Sequence, residues 1–331
     1  MIFVTGGSGF IGSNLIEILL EKTNEEILNV DNLSYAAHSF TKAVNNSRYS
    51  HENVDITDKI EVARLFSEYK PSVIFHLAAE SHVDNSINSP EAFVKTNILG
   101  TYNLLEASRI YKNSTNTPQF RFIHVSTDEV YGSLDIDVRP FTEKSTYDPS
   151  SPYSASKASS DHIAMAYYRT YKLPVIITNC SNNYGKYQHK AKLLPTIILS
   201  ALRGESIPIY GKGDNIRDWI HVSDHCHALI KLMNSGKIGE KYNIGSNHEM
   251  KNIDLAMLIC SILDSKKPHS SNTSYKNLIN FVKDRPGHDH RYAINSNKIS
   301  KDIGWEPKKQ FEQSIGETVD WYIEKFEKNL L

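Results

Sequence analysis

A glycine-rich turn between a short apolar strand and an amphipathic helix constrains this chain more than any other feature. Ile2, Phe3 and Val4 lead into Thr5-Gly-Gly-Ser-Gly-Phe-Ile-Gly12, and Ile11, Leu15, Ile16, Leu19 and Leu20 then recur at helical spacing. The turn reads as G-x-x-G-x-x-G from Gly6 through Gly9 to Gly12, or as G-x-G-x-x-G from Gly7. Glycine has a physical purpose there. The backbone must turn tightly and come close to a pyrophosphate, and the helix start offers unpaired N–H donors and the positive end of its dipole. Asp31 ends the next strand-like run, where its carboxylate can accept from both hydroxyls of a ribose and repel a 2′-phosphate. Strand, turn, helix and acid together predict a dinucleotide site that takes NAD rather than NADP. Asp55 and Ile56, after another short extended run, are candidates for contact with the adenine end.

Beyond the turn, short β-branched runs alternate with helical patterns, the signature of βαβ units and a parallel sheet. Strands are expected at 2–4, 27–30, 73–77, 122–126 and 175–178. Helices are expected near 11–22, 58–69, 90–111 and 153–171, and again near 192–203, 223–234 and 312–327. The predicted class is α/β, a Rossmann-type doubly wound parallel sheet with a smaller C-terminal substrate-binding lobe. The sheet domain is expected over 1–180, joined by part of 218–246, and the lobe over 181–331. Such sheets bind ligands beyond the carboxyl ends of their strands, so chemistry is sought there.

Charge narrows the range of partners. Lys and Arg number 37 against 38 Asp and Glu, so no net field draws the chain to nucleic acid or an anionic membrane. A small-molecule substrate is expected. Three widely spaced cysteines, Cys180, Cys226 and Cys260, argue against a disulfide framework and for a reducing compartment. With no signal-like start and no apolar run of spanning length, a soluble, cytoplasmic protein is predicted.

Two groups sit where a parallel sheet would place a reacting centre. Tyr153 and Lys157 stand four apart at the start of a helix, on one face. A free tyrosine titrates near ~10, but a neighbouring ammonium and a nicotinamide's positive charge favour the phenolate, making Tyr153 a base near neutral pH. The run 122–126 ends in Ser126-Thr127-Asp128-Glu129, a hydroxyl and two carboxylates suited to acid/base work. Alone, the first group is an ordinary helix-surface pair and the second a solvated turn. Together with the glycine turn they predict catalysis. His221, Asp224, His225, Cys226 and His227 include metal-ligand types, but adjacent spacing matches no common zinc pattern, and no metal is expected.

Ser126-Thr-Asp-Glu-Val-Tyr-Gly132, Ser151-Pro-Tyr-Ser-Ala-Ser-Lys157, Asn179-Cys-Ser-Asn-Asn-Tyr-Gly185, Ile216-Arg-Asp-Trp219 and Asp284-Arg-Pro-Gly-His288 extend the pattern over nearly the whole chain. With the glycine turn, these motifs resemble the extended short-chain dehydrogenase/reductase superfamily and, within it, the dTDP-glucose 4,6-dehydratases. The resemblance implies a lyase. A 4-OH is oxidised at the expense of NAD, water leaves across C5 and C6, hydride returns to C6 and a proton to C5, giving a 4-keto-6-deoxy sugar. Tyr153, Lys157, Thr127, Asp128 and Glu129 are the implied catalytic residues. The resemblance further implies that Gly6, Gly9, Phe10, Ile11, Gly12, Asp31, Asn32, Asp55, Ile56, Leu77, Ala78, Ala79, Glu80, Thr96, Tyr153, Lys157 and Asn183 surround NAD. By the same token Ser81, Thr127, Asn182, Lys192, Leu193, Pro208, Tyr210, Arg217, Asn252, Arg285 and His288 surround the nucleotide sugar, with the cations suited to a diphosphate. Asn85, Lys186, Lys190, Ala191 and His290 depart from the family's usual residues. A homodimer through helices near 90–111 and 153–171 is also implied. The rival readings are a UDP-glucose 4,6-dehydratase, a nucleotide-sugar 4-epimerase or decarboxylase of the same superfamily, and a non-catalytic NAD sensor. The Thr-Asp-Glu triplet disfavours the epimerase and decarboxylase, and the catalytic set as a whole disfavours the sensor.

Overall fold

The computed structural model describes residues 1–38, 44–115, 119–269 and 272–330. Its central sheet is built from β1 (Ile2–Thr5), β2 (Ile27–Val30), β3 (Tyr49–Glu52), β4 (Val73–His76), β5 (Arg121–Thr127), β6 (Val175–Cys180) and β10 (Lys241–Ile244). All pair in parallel, in the order 3-2-1-4-5-6-10. Strands β1, β2, β4 and β6 are buried along their whole length, because helices cover both faces. Alternate β1 side chains enter opposite cores. Ile2 and Val4 pack with α1 (Phe10–Lys22) and α8 (Val222–Ser235), whereas Phe3 packs with α2 (Lys59–Tyr69) and α5 (Thr101–Ser114). The α/β class and the doubly wound sheet stand as expected.

Local chemistry explains where the helices begin. The Asp58 side chain accepts from Ile60 N at 2.9 Å and Glu61 N at 3.1 Å, starting α2. Ser151 and Ser154 form a reciprocal capping box, and Pro152 occupies the first turn of α6 (Pro152–Tyr171). That cap sets Tyr153 and Lys157 at a helix start. The segment expected as one helix near 90–111 is less regular. After α3 (Val83–Asn88), α4 (Pro90–Phe93) runs through a π-helical stretch at Val94–Gly100 into α5. Inside it, Asn97 accepts from Glu80 N at 2.8 Å and donates to Glu80 O at 3.0 Å and Ser156 Oγ at 2.8 Å. One side chain thus ties the helix to the β4 loop and to α6, a use typical of π-bulges near functional sites.

In the second half, β9 (Ile216–His221) lies between β7 (Asn182–Tyr184) and β11 (Glu249–Lys251), while β8 (Ile207–Tyr210) pairs with β12 (Ile279–Val282). A third core joins α7 (Leu193–Arg203), α9 (Asn252–Lys266) and α11 (Phe311–Glu327). The α9 helix was not foreseen, since its nearly continuous apolar run from Leu255 to Leu263 blurs the 3.6-residue period. The last helix before α11 is α10 (Asn297–Ile303). Among the described residues, no helix is long and apolar enough to cross a membrane.

Candidate active site

A cleft crosses the carboxyl ends of the central strands, and its first wall is the glycine turn. Gly6 has φ +70°, and a Cβ there would lie 2.6 Å from Ala78 N. At Gly12 a Cβ would meet the Gly6 carbonyl oxygen at 2.2 Å, so any side chain would push α1 off β1. Asp31, nearly buried, accepts from Ser8 N at 2.9 Å on one oxygen and from Leu33 N at 2.8 Å on the other. Burial pushes its carboxyl upward and these donors oppose the shift. Each oxygen keeps a lone pair for a further donor. Asp55 is steadied by Thr57 N and Oγ1, both at 2.8 Å, and by the Asn32 amide at 3.0 Å.

The residues expected at the cofactor line this one cleft: Gly6, Gly9, Phe10, Ile11, Gly12, Asp31, Asn32, Asp55, Ile56, Leu77, Ala78, Ala79, Glu80, Thr96, Tyr153, Lys157 and Asn183. The sequence reading missed Ser34, Ala36, Ala37, Ser126, Cys180, Ser181, Gln188 and His189, which share the lining. Ser126, Cys180 and Ser181 carry a usable signal, because each sits within a motif at the carboxyl end of a strand. Gln188 and His189 reach the cleft from a loop that only tertiary packing brings there.

Thr127, Asp128 and Glu129 line the same cleft as Tyr153 and Lys157. β5 ends at Thr127, whose hydroxyl accepts from Glu129 N at 3.2 Å and caps the short turn Asp128–Tyr131. The two acids sit in unequal surroundings. Asp128 is 2% exposed and its Oδ2 has no hydrogen-bond partner. Burial, then Glu129 and Asp218, raise its carboxyl well above the usual range. Burial also raises Glu129, but Arg285, Lys192 and Arg217 pull it back. One acid is thus poised to hold a proton and the other to accept one. Burial and then Glu129 push the Tyr153 hydroxyl well above its ordinary value. The Lys157 ammonium donates to Val125 O at 2.9 Å.

Of the residues expected at the substrate, Ser81, Thr127, Asn182 and Lys192 line the cleft. Lys192 Nζ donates to Ser81 O at 2.7 Å. Beyond them, Asp84 gathers two more: the Tyr210 hydroxyl donates to it at 3.3 Å and Arg285 pairs with it at 3.6 Å. Arg285 Nε is buried without a partner. His288 Nδ1 lies 2.7 Å from Asp284, with its ring edge-on to Tyr210 at 6.2 Å. Arg217 is placed differently. Its buried guanidinium donates to Ile216 O at 2.7 Å and Asp289 O at 2.9 Å and stacks 4.2 Å over Tyr292. Leu193 joins the third core, Pro208 is exposed on β8, and Asn252 opens α9 with its N–H on Asn215 O at 3.0 Å.

The histidine-rich segment disperses among separate partners. His221 faces Ser223, Asp224 accepts from Lys308 N and Lys309 N, and His225 faces Asn183. Among the described residues, no group of three such side chains comes together to hold a metal.

Comparison with known proteins adds independent findings. A family model described as GDP-mannose 4,6 dehydratase matches residues 3–318. The dTDP-glucose 4,6-dehydratase of Shigella flexneri is 51% identical over 335 aligned residues, covering 97% of this chain and 92% of that protein. Among solved structures, the dTDP-glucose 4,6-dehydratase of Bacillus anthracis str. Ames in complex with NAD is similar at a TM-score of 0.87 and 42% identity, covering 100% of this chain and 99% of that one. That of Streptomyces venezuelae, with NAD bound, reaches a TM-score of 0.89 at 39% identity, covering 99% and 98%.

Proposed function

The chain belongs to the dTDP-glucose 4,6-dehydratase family, and from that premise we propose that it dehydrates dTDP-glucose to the 4-keto-6-deoxy sugar with NAD as its cofactor. One observation carries the reading: the glycine turn, Asp31, the Tyr153/Lys157 pair and the Thr127-Asp128-Glu129 triplet share a single cleft. A 4-epimerase has no use for two acids in unequal surroundings, and the similar proteins favour dTDP over UDP sugars.

The residues present fit NAD. The Gly6–Gly12 cradle leaves no room for side chains, the start of α1 presents N–H donors, and Asp31 retains free lone pairs. The cofactor these residues would hold, NAD, would supply a hydride acceptor for C4 and a hydride donor for C6. Tyr153 takes the 4-OH proton, with Thr127 orienting that hydroxyl and Lys157 holding the ribose. Burial and the Glu129 charge raise Tyr153, so its role as a base would call for a positive charge beside it, which a bound nicotinamide would supply. Once C4 is a ketone, C5–H is acidified. Glu129, surrounded by cations, abstracts that proton, and Asp128, held protonated, donates to the departing 6-OH.

The sheet domain, 1–180 with part of 218–246, is read as the cofactor domain, and 181–331 as the nucleotide-sugar lobe. Lys192 and Arg285 supply charge for the diphosphate, with Arg217 buried behind them. Val94, Leu99, Tyr102, Ile110 and Tyr171 expose apolar surface on α5, its π-helical lead and α6, which supports a homodimer formed through these helices. A cytoplasmic location follows from biosynthetic work on a nucleotide sugar.

Isotopes test the reaction. In heavy water the product should carry deuterium at C5, and deuterium placed at C4 of the substrate should finish at C6 of the same molecule. Glu129→Gln should slow dehydration while bound NADH accumulates. Dehydration by Glu129→Gln at the wild-type rate, or escape of C4 deuterium to free cofactor, would overturn the proposal.

A further inference from the structure

One helical turn beyond Lys157, Asp161 is a buried carboxylate that the reaction as described leaves unused. It is 2% exposed and stands outside the cleft lining. Three other segments converge on it. The Tyr147 hydroxyl donates to Oδ2 at 2.8 Å, the Asn179 amide on β6 donates to the same oxygen at 3.0 Å, and His124 Nε2 on β5 lies 3.1 Å from Oδ1. The Asn179 amide also reaches the Thr127 carbonyl at 3.2 Å, so the same node holds the strand end from which the Thr-Asp-Glu triplet starts. Register explains the meeting, because Ser126 pairs with Asn179 and Thr127 with Cys180.

Burial alone would protonate a carboxylate and deprotonate an ammonium. Asp161 nevertheless stays below its usual value, held there by His124, Lys157 and a hydroxyl of Ser126. Lys157 is pulled down by burial and supported first by Asp161. Other ionisable groups surround the pair, and burial shifts them too. Burial lowers His124 and His76, and it pushes the Cys180 thiol up to about 12 and the Tyr131, Tyr147 and Tyr153 hydroxyls upward. Burial raises Asp128, and Lys241 and Glu143 lie beyond the tyrosines.

We propose that Asp161 is a positioning residue, a buried counter-charge fixed by Tyr147, Asn179 and His124 that keeps Lys157 an ammonium for the oxidation step. The proposal rests on the reading of Lys157 as the residue that serves Tyr153 and the ribose. Asp161→Asn keeps the size of the side chain and removes its charge. The substrate KM should stay within about 3-fold, because Asp161 touches nothing in the cleft. The alkaline limb of kcat should move down by about one pH unit or more, giving roughly 10-fold lower kcat near pH 8.5 with little change near pH 6.5. A uniform loss across pH, with the limb unmoved, would overturn the proposal by making Asp161 merely structural. Should Asp161→Asn fail to fold, the double variant Lys157→Met/Asp161→Asn decides. Recovery of folded protein, read by circular dichroism, supports a buried ammonium without a compensating charge as the cause, and continued unfolding overturns the charge coupling. Failure of the underlying reading has its own signature: Lys157→Met would keep wild-type kcat.

Discussion

The two sides of the cleft are built on different principles. On the cofactor side, contacts follow one repeated local geometry: a parallel strand ends, the chain turns, and the next residues face the cleft, as at Gly6, Asp31, Leu77 and Thr127. On the side proposed for the substrate, Lys192 at the cleft and Arg217, Arg285 and Tyr210 beyond it arrive from separate segments, and each is already engaged with Ser81, backbone carbonyls or Asp84. A site made by strand ends presents open donors and acceptors. A site made by meeting loops holds its charges against one another until a ligand exchanges the partners, so its affinity is a difference between two sets of contacts.

Mutations should separate the two sides. The largest effect is expected at their junction, where Tyr153→Phe should lower kcat on the order of 10²-fold or more and abolish formation of bound NADH in single-turnover absorbance. If Tyr153→Phe still forms NADH from sugar, another base starts the reaction. Arg285→Ala should raise the substrate KM by about 10- to 100-fold, the size of a lost charged contact, while the purified protein keeps its NAD content. A parallel loss of NAD would erase the distinction between the sides. Asp31→Ala should do the reverse, improving binding of NADP relative to NAD by about 10-fold in a titration and leaving the affinity for dTDP unchanged.

The smallest effect concerns the acid pair and is read as stability. Burial raises the Asp128 carboxyl in the fold, whereas in the unfolded chain it ionises near its ordinary value of ~4. Folding therefore takes up a proton. The penalty is absent below that pH and grows as pH rises toward the raised folded value. Asp128→Asn should raise Tm by roughly 2–4 °C near pH 8, and the gain should vanish near pH 4. An equal gain at both would mean that Asp128 is ionised in the folded protein.

Legibility in the sequence followed the same division. Strands β1, β2, β4, β5 and β6 and helices α1, α2 and α6 were readable because periodicity, a glycine turn or a cap acts within a few residues. By contrast, the π-helical stretch depends on Asn97 meeting Glu80 and Ser156, and the edge strand β10 depends on pairing with β6. Neither partner is near in sequence. The Tyr153/Lys157 spacing placed both residues in one cleft lining but could not reveal that Lys157 turns to Val125 or that Asp161 stands behind it.

Sequence by itself determined the parallel α/β architecture, the NAD-type turn with its acid at Asp31, and the residue types available for proton transfer. These are short-range matters of backbone sterics, hydrogen-bonding capacity and chemical identity. Only the tertiary structure decided that Oδ2 of Asp128 is left without a partner, which cations surround Glu129, and which charge supports Lys157. Proton affinities are set by burial and by distances of a few ångströms, and the groups concerned, such as Glu129 and Arg285, come together only when remote parts of the chain pack.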